Sequence, residues 1–262
     1  MVKKIIKIIR EPLGRCLLLF QCLKTFPKDW LLFYRDAIEY RNGMKGLSEI
    51  HCVKYKGQSL YYRTRTTDII LIICILVKNN MYKFDLCERE VEWVLDLGAN
   101  IGLFSLKYAI HYPNIKFVAV EPEDENYKIM EMNLGQLSNV IILKAGVWWR
   151  EANLTIKNSD AESWAFQVVE SENGEYKGLS IDLICGKYNA TASVIKMDIE
   201  GSEMVVFQHI NDSKWINEVK LLVCETHDHI FPGSYKLVTE AMKARGYSLS
   251  QMGESLIFEK QT

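Results

Sequence analysis

The chain has 262 residues, 48% hydrophobic and 25% charged, with 15 Gly and 5 Pro, proportions that exclude a disordered, collagenous or low-complexity protein. Its 32 Lys and Arg against 33 Asp and Glu leave a formal charge of -1, so no global basic field points to nucleic acid or an anionic membrane. Seven cysteines without a C-x-x-C spacing indicate neither a disulfide framework nor a zinc ribbon and point to a reducing, cytoplasmic setting.

Helical patterns come first. Ile5, Ile6, Ile8 and Ile9 alternate with basic residues until Pro12, and a further helix is expected from near Pro27. Residues 1–50 therefore read as a helical extension and 51–262 as the main domain. Lys3, Lys7 and Arg10 share one helical face, which fits a peripheral membrane contact or packing on the main domain. Arg15 and Lys24 flank the apolar run 16–19 closely and no small-residue cleavage site follows, so a cleaved signal is not expected. The longest uncharged apolar stretch, 69–77, falls short of the roughly 20 residues of a transmembrane helix.

From 51 to 68 the text is strand-like, with a turn over 55–58 and a second strand over 59–63. The start signal Thr66-Thr-Asp68 favours a helix for 69–77. Beyond Glu90, apolar runs at 93–97, 117–120, 140–143, 194–197 and 221–224 alternate with helical patterns. Such runs predict strands buried on both faces of a parallel sheet, hence an α/β fold. Residues 247–250 and 256–259 surround Met252-Gly-Glu254 as a terminal antiparallel hairpin. The polar stretch 151–180 interrupts the rhythm and reads as an insertion at the sheet edge or over the site.

The segment from Val94 to Gly102 is a strand, a glycine loop and a helix start, with Leu103, Leu106 and Ile110 following at helical spacing. Gly98 permits a tight turn against a ligand, and Gly102 permits close packing of the helix start on the strand. A dinucleotide site requires G-x-G-x-x-G, and here Asn100 replaces the middle glycine. Asp96 at the loop entrance would repel a pyrophosphate but suits the ammonium of an amino-acid-bearing cofactor. Glu121 ends the next strand, where a carboxylate can accept both ribose hydroxyls. These features fit S-adenosylmethionine better than NAD.

Asp96-Leu-Gly-Ala-Asn-Ile-Gly102, Glu121-Pro122 and Lys196-Met-Asp-Ile-Glu-Gly-Ser-Glu203 closely resemble the FkbM family of S-adenosylmethionine-dependent methyltransferases. Ile181-Asp182 and Glu225-Thr-His227 are similar too, and the resemblance runs from residue 60 to 258. The glycine loop is common to many methyltransferases; the K-x-D-x-E-G-x-E string is far more specific. The resemblance implies a Rossmann-like class I methyltransferase fold: a mostly parallel seven-stranded sheet with a C-terminal antiparallel hairpin. It also implies O-methylation of a hydroxyl on a glycan or secondary metabolite. The cofactor set would be Asp96, Gly98, Ala99, Asn100, Gly102, Glu121, Pro122 and Asp198. Asp68 belongs to a family-like R-x-x-T/S-D pattern, here stretched by one residue from Arg63, and either lines the cofactor pocket or caps its helix. N- or C-methylation and a non-catalytic cofactor-binding module stand as alternatives.

Methyl transfer from a sulfonium needs an aligned acceptor and a destination for its proton. Asp198, Glu200 and His227 are the candidate bases, with Lys196 orienting a carboxylate or the acceptor. Lys196 and Asp198 share a strand face, and a buried lysine there calls for Asp198 and Glu200 as partners. A second scheme has Asp198, Glu225 and His227 hold a divalent cation, and is not favoured. His227-x-His229 is weak evidence for a metal. Glu203 is a helix-start acid or a structural cap. Trp148, Trp149 and Trp164 serve adenine stacking or core packing.

Overall fold

The computed structural model describes residues 12–44, 46–86, 90–157 and 167–260. The basic face at Lys3, Lys7 and Arg10, and Trp164, lie outside them. Helices α1 (Pro12–Thr25) and α2 (Trp30–Arg41) open the described chain. With Phe26 between them they bury Leu18, Cys22 and Phe33 in an apolar cluster that also includes Val94, Phe117 and Val194 of the main sheet. Asp36 of α2, 1% exposed, accepts the Tyr62 hydroxyl at 2.7 Å and faces His51 Nδ1 at 2.6 Å. That buried carboxylate ties the helices to the predicted hairpin, β1 (Ile50–Tyr55) and β2 (Gln58–Arg63). The hairpin turns through Lys56 and Gly57, both at positive φ, as a two-residue connection requires.

The apolar run after the hairpin is helical as expected, but in two forms. α3 (Asp68–Ile72) is followed directly by a π-helical turn over Ile73–Val77. Then come β3 (Trp93–Leu97), α4 (Leu103–His111), β4 (Lys116–Glu121), α5 (Asp124–Leu134) and β5 (Val140–Lys144). Asn133 of α5 accepts the Tyr61 N–H at 2.6 Å and donates to Tyr61 O at 3.1 Å and Ile101 O at 2.8 Å. One amide thus fastens β2 to the glycine loop.

The two residues of β6 (Gly146–Val147) and the described part of the insertion, β7 (Ala152–Ile156), β8 (Val168–Glu170) and β9 (Tyr176–Leu179), form a separate sheet in the order β6-β9-β7-β8. The rest is α6 (Ile181–Tyr188), β10 (Val194–Met197), α7 (Ser202–Gln208), α8 (Trp215–Glu218), β11 (Leu221–Glu225), α9 (Ser234–Lys243), β12 (Tyr247–Met252) and β13 (Ser255–Lys260). Asp182 accepts the Lys214 and Trp215 N–H groups at 2.9 and 2.8 Å and holds α8.

The main sheet has seven strands in the order β12-β13-β11-β10-β3-β4-β5. β13 is antiparallel to both neighbours, and the other pairings are parallel. This is the Rossmann-like class I methyltransferase arrangement with its C-terminal hairpin. β3 and β10 are buried along their whole length, so they carry apolar side chains on both faces. Their carboxyl ends lie side by side where the strand order reverses, the place such sheets offer a ligand. The described cysteines, 16, 22, 52, 74, 185 and 224, are free thiols. Among the described residues no helix is long and apolar enough to cross a membrane.

Candidate active site

A cavity opens above the ends of β3, β4, β10 and β11. It is lined by Gly98 to Ile101, Glu121, Pro122 and Asn126 together with Lys196, Asp198, Glu200 and Glu225, and Gly98 O accepts from Lys196 Nζ where the two groups meet. Ile70, Leu71, Cys74 and Ile75 of α3 and its π-turn form an apolar wall, while Val147 and Val168 come from the insertion.

The glycine loop is closed on itself. The N–H groups of Gly98 and Ala99 both go to Val120 O, at 3.1 and 2.9 Å, and that of Gly102 to Ala99 O at 2.8 Å. Asn100 N–H donates to Glu121 Oε2 at 2.9 Å, and Ile101 N–H to Asn100 Oδ1 at 2.8 Å. A pyrophosphate would therefore find these five amides already spent on protein acceptors. Glu121, held by Asn100 N–H and by Glu123 N–H at 3.1 Å, presents its carboxylate to the cavity. Burial pushes its pKa up to about 7, against the pull of those two amides and of Asn126. Such a carboxylate can accept a ribose diol. Ser202 lines the cavity, 3% exposed, and its Oγ finds no hydrogen-bond partner among the described residues. These features fit S-adenosylmethionine, the cofactor of this fold.

Three expected cofactor contacts sit elsewhere. Asp96, fully buried behind the loop, accepts Ser105 Oγ at 2.8 Å and faces Lys196 Nζ at 3.4 Å. The ammonium it serves is that of Lys196, because β3 and β10 pair Asp96 with Lys196 in register. Gly102 does not line the cavity: a Cβ there would lie 2.8 Å from Leu134 Cδ1 of α5, so the glycine permits helix-on-helix packing rather than packing on the strand. Asp68 is fully buried and neither lines the cavity nor caps its helix; Arg63 binds it through two guanidinium nitrogens at 2.9 and 2.8 Å and through its N–H at 2.9 Å. His227 is withdrawn as well.

The acidic loop explains His227. Glu203, fully buried, accepts the N–H groups of Ile199 and Gly201, each at 2.7 Å. It is a structural clasp, and its Oε1 also lies 3.3 Å from His227 Nδ1. His227 Nε2 is 3.3 Å from Glu200 and 3.7 Å from Asp198. Burial opposes a charge on this ring, but Glu203, then Glu200 and Asp198, overcome it and push the pKa up to about 10. His227 is thus an imidazolium near neutral pH and has no lone pair to take a proton, which corrects the expectation of a base poised near 6.5. Lys196 keeps its ammonium for the same reason: burial would remove the proton, and Asp96 and Asp198 hold it. Its ammonium donates to Gly98 O at 2.5 Å and lies 3.8 Å from Asp198, so Asp96 and Asp198, not Glu200, are its partners.

Asp198 is engaged on both oxygens, Oδ1 by His227 and Oδ2 by Lys196 and the Tyr82 hydroxyl at 3.1 Å. Glu200 and Glu225 are less neutralised. Burial, followed by Asp198, pushes Glu200 up to about 9 and Glu225 up to about 8. The atoms that converge within 4.8 Å, as a cation would need, are those of Asp198, Glu200 and His227 rather than Glu225. The imidazolium already supplies positive charge there. Trp148 donates to Glu170 at 3.2 Å, and Trp149 stacks on His209 at 3.9 Å; neither lines the cavity.

Tyr82 escaped the sequence reading. It lies 4% exposed in the segment before β3 at φ 50°, its ring edge-on to Phe104, and lines the cavity. Asn126 and Glu254 were missed too; Asn126, two residues into the helix after Glu121-Pro122, had a signal in its proximity to that carboxylate.

Residues 96–249, more than half of the chain, match the model of the Methyltransferase FkbM domain. Methyltransferase sdnD of Sordaria araneosa is 41% identical over 58 residues, a stretch that spans 21% of this chain and 22% of that protein. Among solved structures, the precorrin-6y C5,15-methyltransferase of Geobacter metallireducens shares 13% identity at a TM-score of 0.38, covering 65% of this chain and 81% of its own. The fibrillarin pre-rRNA processing protein of Methanococcus jannaschii shares 13% at 0.42, covering 83% and 86%.

Proposed function

The chain belongs to the FkbM methyltransferase family, and on that premise we propose that this S-adenosylmethionine-dependent enzyme O-methylates a hydroxyl of a glycan or secondary metabolite. The observation that carries this reading is the continuity of the cavity from Glu121, past the glycine loop, to Asp198, Glu200 and Glu225. The bound cofactor supplies an electrophilic methyl on a sulfonium. Glu121 would hold the ribose hydroxyls, and Gly98 to Asn100, Pro122 and Val147, which line the same cavity, would bound the rest of the cofactor.

At the far end Glu200 takes the acceptor's proton, provided that the positive charge of the bound cofactor keeps it ionised, since in the free site burial and Asp198 leave it protonated up to about pH 9. Asp198 is already engaged by Tyr82, Lys196 and His227, whereas Glu200 has raised basicity and contacts only His227 among these groups. His227 and Lys196 act as fixed cations that hold the carboxylates in place. Glu200 would be held ionised beforehand by a nearby cationic methyl donor, and loss of that charge would favour its proton uptake. Among the described residues lining the cavity Lys196 is the one lysine or arginine, against the carboxyl groups of Glu121, Asp198, Glu200, Glu225 and Glu254. That balance favours a neutral polyhydroxylated acceptor with an apolar side facing Ile70 and Leu71 over a phosphorylated or acidic one.

Glu200→Gln should lower turnover by about 100-fold, the scale of a general base, while S-adenosylhomocysteine affinity in calorimetry changes less than about threefold. Equal loss in both would remove Glu200 from the proton path. Turnover on hydroxylated acceptors should persist in EDTA; its abolition there, with recovery on adding Mg or Mn, would favour the cation scheme.

A further inference from the structure

Asp68 and Arg63 lie outside the cavity, yet their hydrogen bonds lead into it. Arg63 Nη2 donates to Asp68 Oδ1 at 2.8 Å and to Asn126 Oδ1 at 2.7 Å. Asn126 Nδ2 faces Glu121 Oε1 at 3.5 Å, and both residues line the cavity. A guanidinium has five donors and no acceptor, so it fixes which end of the amide it meets. The carbonyl of Asn126 must face Arg63, and its NH2 must then face Glu121. Released from Arg63, the amide could turn its oxygen toward the carboxylate and repel it.

Asp68 completes the device. With both carboxylate oxygens on the guanidinium and a further bond from Arg63 N–H, it holds the side chain still in the bidentate geometry that resists rotation. It also neutralises Arg63, which therefore acts on Glu121 through amide orientation rather than net charge. The β2 strand carrying Arg63 is fastened to α5 by Asn133, and by Gln136, which takes the Ser59 N–H at 3.2 Å and donates to Ser59 O at 2.7 Å. The extra residue between Arg63 and Asp68 does not prevent the pair from closing.

We propose that Asp68 and Arg63 are positioning residues for cofactor binding, locking Asn126 as a donor to Glu121 so that this carboxylate stays oriented for the ribose hydroxyls. The inference rests on the reading that Glu121 holds the ribose. It extends the cofactor site beyond residues 96–249 into the hairpin and helix that precede the family-matched region.

The test is S-adenosylhomocysteine calorimetry between pH 5.5 and 8.5 on the full chain, Asn126→Ala, the double variant Arg63→Met with Asp68→Leu, and Glu121→Gln. Replacing both members of a buried ion pair by apolar groups commonly spares stability, and Asn126→Ala leaves the pair intact if the double variant fails to fold. Both relay variants should bind about tenfold more weakly, with the midpoint of the pH dependence moved up by at least half a unit. A merely structural role would lower thermal stability without moving that midpoint. Unchanged affinity and midpoint in Asn126→Ala, with a normal pH dependence in the parent, would overturn the relay alone. Equal affinity of parent and Glu121→Gln would overturn the ribose reading and the relay with it.

Discussion

The loops after β3 and β10 lie side by side. Each leaves a buried strand through a left-handed residue, Asn100 at φ 52° or Glu200 at φ 54°, and each enters a helix through a left-handed glycine, Gly102 or Gly201. Their interiors differ. The first spends its amides on Val120, Ala99, Asn100 and Glu121, so it is a rigid form with little charge of its own. The second carries Asp198, Glu200 and Glu203, with His227 wedged among them. Asparagine tolerates the left-handed region; glutamate does so at a cost of about 1–2 kcal/mol. Glu203 offsets that cost by gripping the amides on either side of Glu200. The pair teaches that one backbone plan can serve shape in one loop and charge placement in the next.

The contact between the loops offers the severest way to break this pairing. A Cβ on Gly98 would lie 1.9 Å from Asp198 O, at a φ of 76°. Gly98→Ala should therefore cost roughly 3 kcal/mol or more, combining left-handed strain with overpacking, and abolish cofactor binding; denaturant unfolding and calorimetry would read both. A loss under 1 kcal/mol would mean that the loops separate easily.

Glu203→Gln sharpens the charge side. It deprives one buried amide of a good acceptor and removes the main counter-charge of His227, at about 2 kcal/mol. With a folded value of about 10 against 6.5 for an ordinary histidine, the His227 ion pairs stabilise the fold fully below 6.5. Their contribution is lost as pH rises through 10. The variant should lower the His227 midpoint in an NMR titration and so narrow that window from its alkaline side.

For the glycine loop the corresponding handle is Glu121. Its raised value of about 7 means that the free site binds a proton below neutrality. Accepting two ribose hydroxyls requires the ionised form, so binding expels that proton. S-adenosylhomocysteine affinity should rise about tenfold from pH 6 to 8 and level off above, whereas Glu121→Gln should be flat and weaker by about 10- to 100-fold, the worth of a charge-assisted hydrogen bond. The same group stabilises the unliganded fold below its ordinary value of 4.5, and this is lost as pH rises through 7. The smallest effect belongs to Trp149→Ala: the ring stacks on His209 away from the cavity, so affinity should stay within about twofold.

Much of this comparison was legible in the sequence because buried parallel strands announce themselves as unbroken apolar runs, and β3, β10 and β11 end where their motifs do. The Asp96 to Lys196 pairing was not, since it depends on which strands become neighbours across a hundred residues. His227 was misjudged because the approach of three carboxylates is a tertiary fact that its spacing from Glu225 does not encode. The Arg63 to Asp68 pattern is visible in the sequence, but the path from it to Glu121 crosses to another helix through Asn126. Tyr82 lies in a segment without periodicity, so nothing local marks it.

The π-helical turn over Ile73–Val77 gives the acceptor wall a further property. A π-turn holds one residue more than an α-helical turn, and such turns are frequent at functional sites. Removing one residue from it would restore α-helical winding and change which side chains of residues 73–77 reach the cavity, now lined by Cys74 and Ile75, while Ile70 and Leu71 stay put. A single-codon deletion or insertion is thus a larger step in acceptor choice than most substitutions, and the glycine loop, anchored elsewhere, need not register the change.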